Sequence, residues 1–390
     1  MQSLRRLSAL RVILLLIFAV VMYLCFWPVP VEPVAWVPPV DAGYTGPYAA
    51  NTHLANQTHV SLLAVGTAEE VTGPEDIALD AAGRIYTGTN GGRIVRFAPG
   101  ENAGDAAKFT VGEPEVWCET GGRPLGLDFD ARGNLIVADA ARGLLQIDPD
   151  AKITVLTNEA GGVPIRYADD LDIAQDGRIY FSDASTKFGA MEFGGVEPSS
   201  RLDILEHGGH GRLLVYDPAD QSTRVVLDGI DFANGVALAA DDSYVLINET
   251  GSYRVLRYWL RGPRAVAGQQ PEVWLDNLPG FPDNIERDRS ANLFWIALVS
   301  PRSAALDSMA GSPFLRRLAF RLPAFLQPRP VAYIQIIAVD PDGRVVHNLQ
   351  DPAGGFHANT SVYATADALY LGSLAETSIL IAPRTESLWK

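Results

Sequence analysis

Short apolar runs, each opened by a Gly-, Asn- or Asp-rich corner, recur along most of the chain. Six restarts stand out: residues 73–86, 122–137 and 167–180, and those opening at 232–235, 281–284 and 356–359. Alternating or continuous apolar residues run into the corners 130–133, 175–177, 240–242 and 341–343, which predict hairpins. Second strands are predicted at 85–87, 135–138, 179–182 and 244–247, and third strands at 93–97 and 211–216. The segments 139–143 and 249–253 read as tight turns, because Gly, Asp and Ser supply turn chemistry. A repeat of this size built of strands predicts an all-β fold, a β-propeller. In a propeller the residues opening each blade's first strand converge on one mouth of a central channel.

Two stretches break the repeat. Residues 188–210, with His207 and His210, have little periodicity and read as an excursion inside blade three. Residues 300–329 contain a run, 314–323, with one apolar helical face and Arg316, Arg317 and Arg321 around it. That helix either covers the core or lies on lipid.

The amino terminus has a different pattern. Residues 1–11 carry Arg5, Arg6 and Arg11 with no acid, and 12–27 are almost wholly apolar. This predicts an N-terminal transmembrane helix with its basic flank in the cytoplasm and the propeller on the extracytoplasmic side, periplasmic in a bacterium. A cleaved signal peptide is the competing reading, but Tyr23, Phe26 and Trp27 close the run and no Ala-x-Ala site follows. Residues 28–60 are Pro-rich and predict a stiff spacer, or a strap across the propeller, which then occupies 61–390.

Composition narrows the chemistry. A net charge of −15 over 390 residues excludes electrostatic binding of nucleic acid. The two cysteines, Cys25 in the leader and Cys118, cannot staple the domain, and Cys118 reads as a small buried apolar residue. No Gly-x-Ser-x-Gly elbow, nucleotide fingerprint or haem motif is present.

What remains is a set of oxygen donors at equivalent places. Glu75 and Asp76, Asp169 and Asp170, Asn234, and Asp283 and Asn284 all precede or open the first strand of a blade. Carboxylates crowded at one channel mouth repel unless they are protonated or bridged by a cation. An all-oxygen set suits Ca²⁺, and Mg²⁺ less well. The plain alternative is that these acids cap turns and bond backbone amides.

Several longer motifs, in order, resemble the strictosidine-synthase-like family. They are Ala168-Asp169-Asp170-Leu171, Tyr180-Phe181-Ser182-Asp183, the run 211–218, Phe232-Ala233-Asn234-Gly235-Val236, the run 254–258, and the run 280–285. The resemblance extends over about 73–383 and implies six blades, with wider kinship to paraoxonases and gluconolactonases. Carried over from the paraoxonase catalytic calcium, the ligands are Glu75, Asp169, Asn234, Asp283 and Asn284, with Asp169 standing where an amide is usual. Asp76 and Asp170 match residues near the paraoxonases' second, structural calcium. Two departures accompany the likeness. Leu125 stands where the paraoxonases place a histidine base, and Ala364 where strictosidine synthase needs a glutamate, which argues against alkaloid formation.

The expected activity is calcium-dependent hydrolysis of a small-molecule lactone or aryl ester. Asp283 is the candidate base or nucleophile, and His357, near the start of the last blade, a candidate base. The alternative is a non-catalytic, membrane-tethered binding propeller whose metal is structural.

Overall fold

The computed structural model describes residues 2–98, 111–327 and 330–384, with the side chains of 2–9 and 324 outside the description. Arg5 and Arg6 of the basic flank therefore lie outside the described side chains. Two compact units emerge, one of residues 1–38, 205–208 and 303–329, the other of the remaining chain.

The larger unit is a six-bladed β-propeller. Each blade is a four-stranded antiparallel meander. The innermost strands are Ile77–Leu79, Pro124–Phe129, Ala168–Ile173, Ala233–Leu238, Gly280–Asp288 and Asn359–Ala364, and each touches the next around a closed ring. The predicted hairpins are there. Ile85–Gly88, Leu135–Asp139, Ile179–Asp183 and Tyr244–Glu249 form second strands, and Arg93–Phe97 and Gly211–Asp217 third strands. The turn expected at 249–253 is a single 3₁₀ turn, Thr250–Ser252, closed by Tyr253 at φ 57°.

The ring closes with a strand from the other end of the chain. Thr58–Ser61, all but its last residue within the segment read as spacer, pairs antiparallel with Ser378–Pro383 as the outermost strand of blade six. Nothing in a four-residue, mostly exposed strand marks it as such before its partner is known. Packing between blades uses both faces of each sheet. Leu144, Leu171, Phe181 and Leu214 fill the space between blades two and three, and Trp295, Ile336, Leu371 and Phe356 that between five and six. This two-sided burial explains why many strands read as continuous apolar runs.

The excursion in blade three contains a helix that apolar periodicity does not reveal, Val196–Glu206. Its buried face mixes Leu202 with polar groups: Ser199 donates to the carbonyls of Gly189 and Ala190, and Asp203 accepts from Ser185 at 2.5 Å.

In the smaller unit the apolar leader is one helix, Gln2–Phe26. Among the described residues no helix is long and apolar enough to cross a membrane. The insert folds as Ala304–Met309 and Pro313–Phe320, with the expected apolar stripe on the second helix. Arg316 departs from its expected place on the polar flank. It is fully buried, and its guanidinium donates to the carbonyls of Val34, Leu205, Glu206 and Ala310. Five guanidinium donors in a planar fork can satisfy several loop carbonyls at once, which an apolar side chain could not. Arg321 donates to the carbonyls of Leu24 and Trp27 and so caps the carboxyl end of the leader helix.

Candidate functional site

The mouth of the channel owes its shape to bulges. In blades two to six the inner strand slips register near its start, between Pro124 and Leu127, Ala168 and Leu171, Ala233 and Val236, Gly280 and Ile285, and Asn359 and Val362. A bulge breaks the strict alternation of a strand, so two consecutive side chains can both leave for the same region. Hence Asp169 with Asp170, and Asp283 with Asn284, are buried as pairs. Small residues allow the strands to approach. A methyl group on Gly235 would stand 2.4 Å from the amide nitrogen of Ile285 and 2.6 Å from the carbonyl of Asp283.

The expected donors come together. Glu75, Asp169, Asn234, Asp283 and Asn284 are each at most 5% exposed. Asn284 Nδ2 donates to Glu75 Oε1 at 3.0 Å. The segment carrying Glu75 is held by Thr360 Oγ1 and Ser361 Oγ, which donate to its main-chain carbonyl at 2.5 and 2.8 Å. Asn248 Nδ2 donates to the carbonyl of Asp283, and Thr250 Oγ1 to that of Pro282. These anchors lie on the second strand of blade four and the turn after it, and on the inner strand of blade six, so the donor segments are braced by neighbouring blades.

Three buried oxygens of this group, Glu75 Oε2, Asn234 Oδ1 and Asn284 Oδ1, have no hydrogen-bond partner among the described residues. Buried acceptors are ordinarily satisfied, so each is a place for a cation or a water. The electrostatics agree. Burial, then repulsion from Asp76, Asp169 and Asp283, pushes the Glu75 carboxyl well above the usual range, with Arg123 opposing. Burial and then Asp283 do the same to Asp169. Burial raises Asp283 to about 7 against a side-chain hydrogen bond from Asn234. Among the described residues no three His, Cys, Asp or Glu side chains alone form a metal-holding group. Any cation here would need the amide oxygens as well.

Asp76 and Asp170 form a second layer. Asp76 accepts from the amide of Leu127, and Asp170 from the amides of Leu171 and Val236. Burial raises Asp76 to about 7 and, with repulsion from Asp76, carries Asp170 well above its ordinary value. Further along the inner strands lie Asp128, Asp172 and Glu286, with Arg289 3.5 Å from Asp128. This third layer had no signal as a site, because Asp128 and Asp172 alternate with apolar residues and Glu286 sits beside Arg287, as strand acids commonly do.

The histidines do not join the donors. His357 is half-exposed, and its Nδ1 lies 2.5 Å from Glu376 Oε1. His207 stacks on Trp36 at 4.0 Å between ring centres, and His210 lies edge-on to Phe188. Leu125 is fully buried in an apolar cluster with Ala140, Tyr167, Ala184 and Phe232. The position at which the resemblance to paraoxonases expects a histidine is thus filled by core packing. Sequence reading overlooked Arg123, which is 3% exposed beside the acids. An arginine in a Gly-Arg-Pro corner reads as a solvated turn residue, and only the closed ring buries it.

A ring of six four-stranded blades is a fold that this chain shares with solved gluconolactonase and regucalcin structures. A gluconolactonase from Xanthomonas campestris superposes with a TM-score of 0.57 at 17% identity, covering 92% of this chain and 99% of that one. The calcium-binding protein regucalcin from Agrobacterium tumefaciens superposes at 0.52 with 13% identity, covering 80% and 90%. At such identities the likeness concerns the fold. Residues 169–263 match the strictosidine synthase family, and residues 46–97 the N-terminal part of the strictosidine synthase-like family. Strictosidine synthase-like protein 6 of Arabidopsis thaliana is 36% identical over 310 residues, 79% of this chain and 78% of that one. Adipocyte plasma membrane-associated protein of Rattus norvegicus is 32% identical over 323 residues, 78% and 81% of the two chains. The chain belongs to the strictosidine synthase-like family.

Proposed function

We propose that the protein is a calcium-dependent hydrolase of lactones or aryl esters, with a cation held by Glu75, Asp169, Asn234, Asp283 and Asn284. The observation that carries this reading is the trio of unpartnered buried oxygens, Glu75 Oε2, Asn234 Oδ1 and Asn284 Oδ1, set among repelling carboxylates. An oxygen-only set with two neutral amides is the chemistry of a hard divalent ion, calcium before magnesium. When bound, such an ion polarises an acyl oxygen and stabilises the charge that develops on it. Lactonase and calcium-binding relatives of the same fold are consistent with both halves of the proposal.

The chain's own residues divide the remaining work. Asn248 and Thr250 hold the main chain of Asp283 and Pro282, so the Asp283 carboxylate is oriented before substrate arrives. Beside a divalent cation Asp283 is held ionised, and it can take the proton of an attacking water or attack the acyl carbon itself. His357, paired with Glu376 at the entrance to the last inner strand, is the second candidate base. Asp76 and Asp170 offer a second, structural cation position below the first.

The membrane is the other proposed partner. On the leader helix and just past it, Leu10, Ile13, Ile17, Phe18 and Trp27 are exposed, and Phe314, Phe325 and Leu326 are exposed on the insert. Lipid covers such surfaces, which supports membrane attachment, and the basic residues Arg5, Arg6 and Arg11 ahead of the apolar run favour a propeller outside the cytoplasm. A relative named for its association with the plasma membrane accords with this.

A specific observation favours a second reading, a binding propeller with a structural metal. Leu125 seals into the core the position where the paraoxonases place a histidine base, and Ala364 offers no proton carrier. Rates on a panel of lactones, aryl esters and phosphotriesters, with calcium and with chelator, separate the two. Calcium-dependent turnover that is lost in Asp283→Ala supports the hydrolase. Full calcium occupancy with no turnover on any substrate supports the binding propeller.

A further inference from the structure

A cavity of about 530 Å³ lies between blades two and three, at the far end of the inner strands from the donors. Ile173, which lines it, ends the strand that carries Asp169 near its start, so at about 3.3 Å per residue the two are about 13 Å apart. The preceding junction shows why the space is open. Between blades one and two, Tyr86 packs edge-on against Trp117 and Phe129, with ring centres 5.2 and 5.0 Å apart. Tyr86 pairs with Arg96 on the third strand, Trp117 is the extra residue of a bulge in the fourth, and Phe129 ends the next inner strand. One blade on, the same three places hold aliphatic side chains. Ile136 pairs with Gln146, Leu156 is the extra residue of the matching bulge, and Ile173 ends the next inner strand. All three line the cavity. Aliphatic residues thus stand where rings close the wedge next door.

The rim is polar but has no charge to spare. Arg289 lies 3.5 Å from Asp128 and Arg132 3.9 Å from Asp130, so the charged side chains of the lining pair off. Gln146, Gln221 and Tyr216 add neutral donors and acceptors. Arg132 and Gln221 are exposed, so the cavity opens to solvent. We propose that it binds a small neutral aromatic molecule of one or two rings, with the ring against Ile136, Leu156 and Ile173 and its polar edge toward Gln146 and Gln221. A ring suits a wedge that rings fill at the preceding junction. A charged ligand would have to break an ion pair of the rim or stay unpaired, and both are costly. The site is separate from the channel mouth and requires neither a cation nor hydrolysis.

Full-length protein in detergent tests this by equilibrium dialysis with two probes of one shape, indole-3-carboxamide, which is neutral, and indole-3-carboxylate, an anion at neutral pH. The amide is expected to bind saturably with a Kd of about 1 mM or below. The carboxylate is expected to bind about tenfold more weakly or worse. Leu156→Trp and Ile173→Phe put back the rings of the preceding junction, and each is expected to weaken the amide by about tenfold or more with no fall in melting temperature. Gln146→Leu keeps the apolar floor and is expected to weaken it by about threefold or more. No saturable binding of the amide, equal binding of the two probes, or wild-type affinity in a folded Leu156→Trp overturns the inference. If neither ring variant folds, Gln146→Leu decides, and wild-type affinity there overturns it. Affinity is expected to be the same in calcium and in chelator. Loss of binding in chelator would seat the probe at the channel mouth and overturn the inference, whereas absence of calcium binding or of hydrolysis sinks the function proposed above and leaves this site standing.

Discussion

Asp283→Asn puts the electrostatics of the channel mouth to the test, because it changes charge and almost nothing else. Burial raises the Asp283 carboxyl from 3.8 to about 7, so the folded protein holds that proton more tightly than the unfolded chain does. Between those two values the folded state carries more protons, and stability falls as pH rises; above about 7 the loss is complete. At about 1.4 kcal/mol per pH unit, the ionised carboxylate costs the cation-free protein up to about 4 kcal/mol at pH 8. An unfolding entropy of about 2.1 cal/mol/K per residue over about 320 residues converts this to a melting temperature higher by up to about 6 °C in Asp283→Asn. At pH 4 the acid is protonated in the folded state and the two proteins should melt together. Calcium should reverse the order at pH 8, since the wild type gains a ligand that the variant has lost. The assay is a set of thermal melts from pH 4 to 8.5, in chelator and in calcium, for wild type and variant. A destabilised Asp283→Asn in chelator at pH 8 would show that the carboxylate is already satisfied by the protein. An equal calcium-induced rise in both proteins would remove Asp283 from the cation site.

Other outcomes follow from single contacts. Gly235→Ala places a methyl group against backbone atoms of residues 283–285, so it should cost at least about 1–3 kcal/mol and weaken calcium binding, read by denaturant midpoint and calorimetry. Arg316→Met removes the side-chain donor from the carbonyls of Val34 and Leu205 and one of two donors from those of Glu206 and Ala310, and limited proteolysis should cut within 303–327 faster while the propeller core resists. Burial and Glu119 push the Cys118 thiol up to about 12, so iodoacetamide at pH 8 should leave it unmodified, and Cys118→Ala should keep wild-type calcium affinity. In spheroplasts, added protease should digest the propeller; its protection until the inner membrane is broken would contradict an extracytoplasmic domain.

The blade repeat is legible because it is local. A corner such as 130–133 and an apolar run such as Leu135–Asp139 are dictated by turn chemistry and strand patterning within a dozen residues. The convergence of Glu75, Asn234 and Asp283 follows from that repeat, because equivalent positions of a ring must meet. The family, too, was carried by contiguous motifs such as Phe232-Ala233-Asn234-Gly235-Val236.

What needed the tertiary structure was everything that depends on who the neighbour is. Thr58–Ser61 is a strand only because Ser378–Pro383 lies beside it, more than three hundred residues away. The helix Val196–Glu206 buries a hydroxyl and two acids beside Leu202, so no clear apolar stripe announces it. Leu125 is a core residue only once Tyr167 and Phe232 enclose it. Arg123 and Arg316 carry the same lesson most sharply. Arginine is an exposed residue by habit, and the sequence marks its charge but not its burial. Whether a guanidinium meets water, four carbonyls or a ring of carboxylates is settled by chain closure, and that closure turns a surface cation into part of a site.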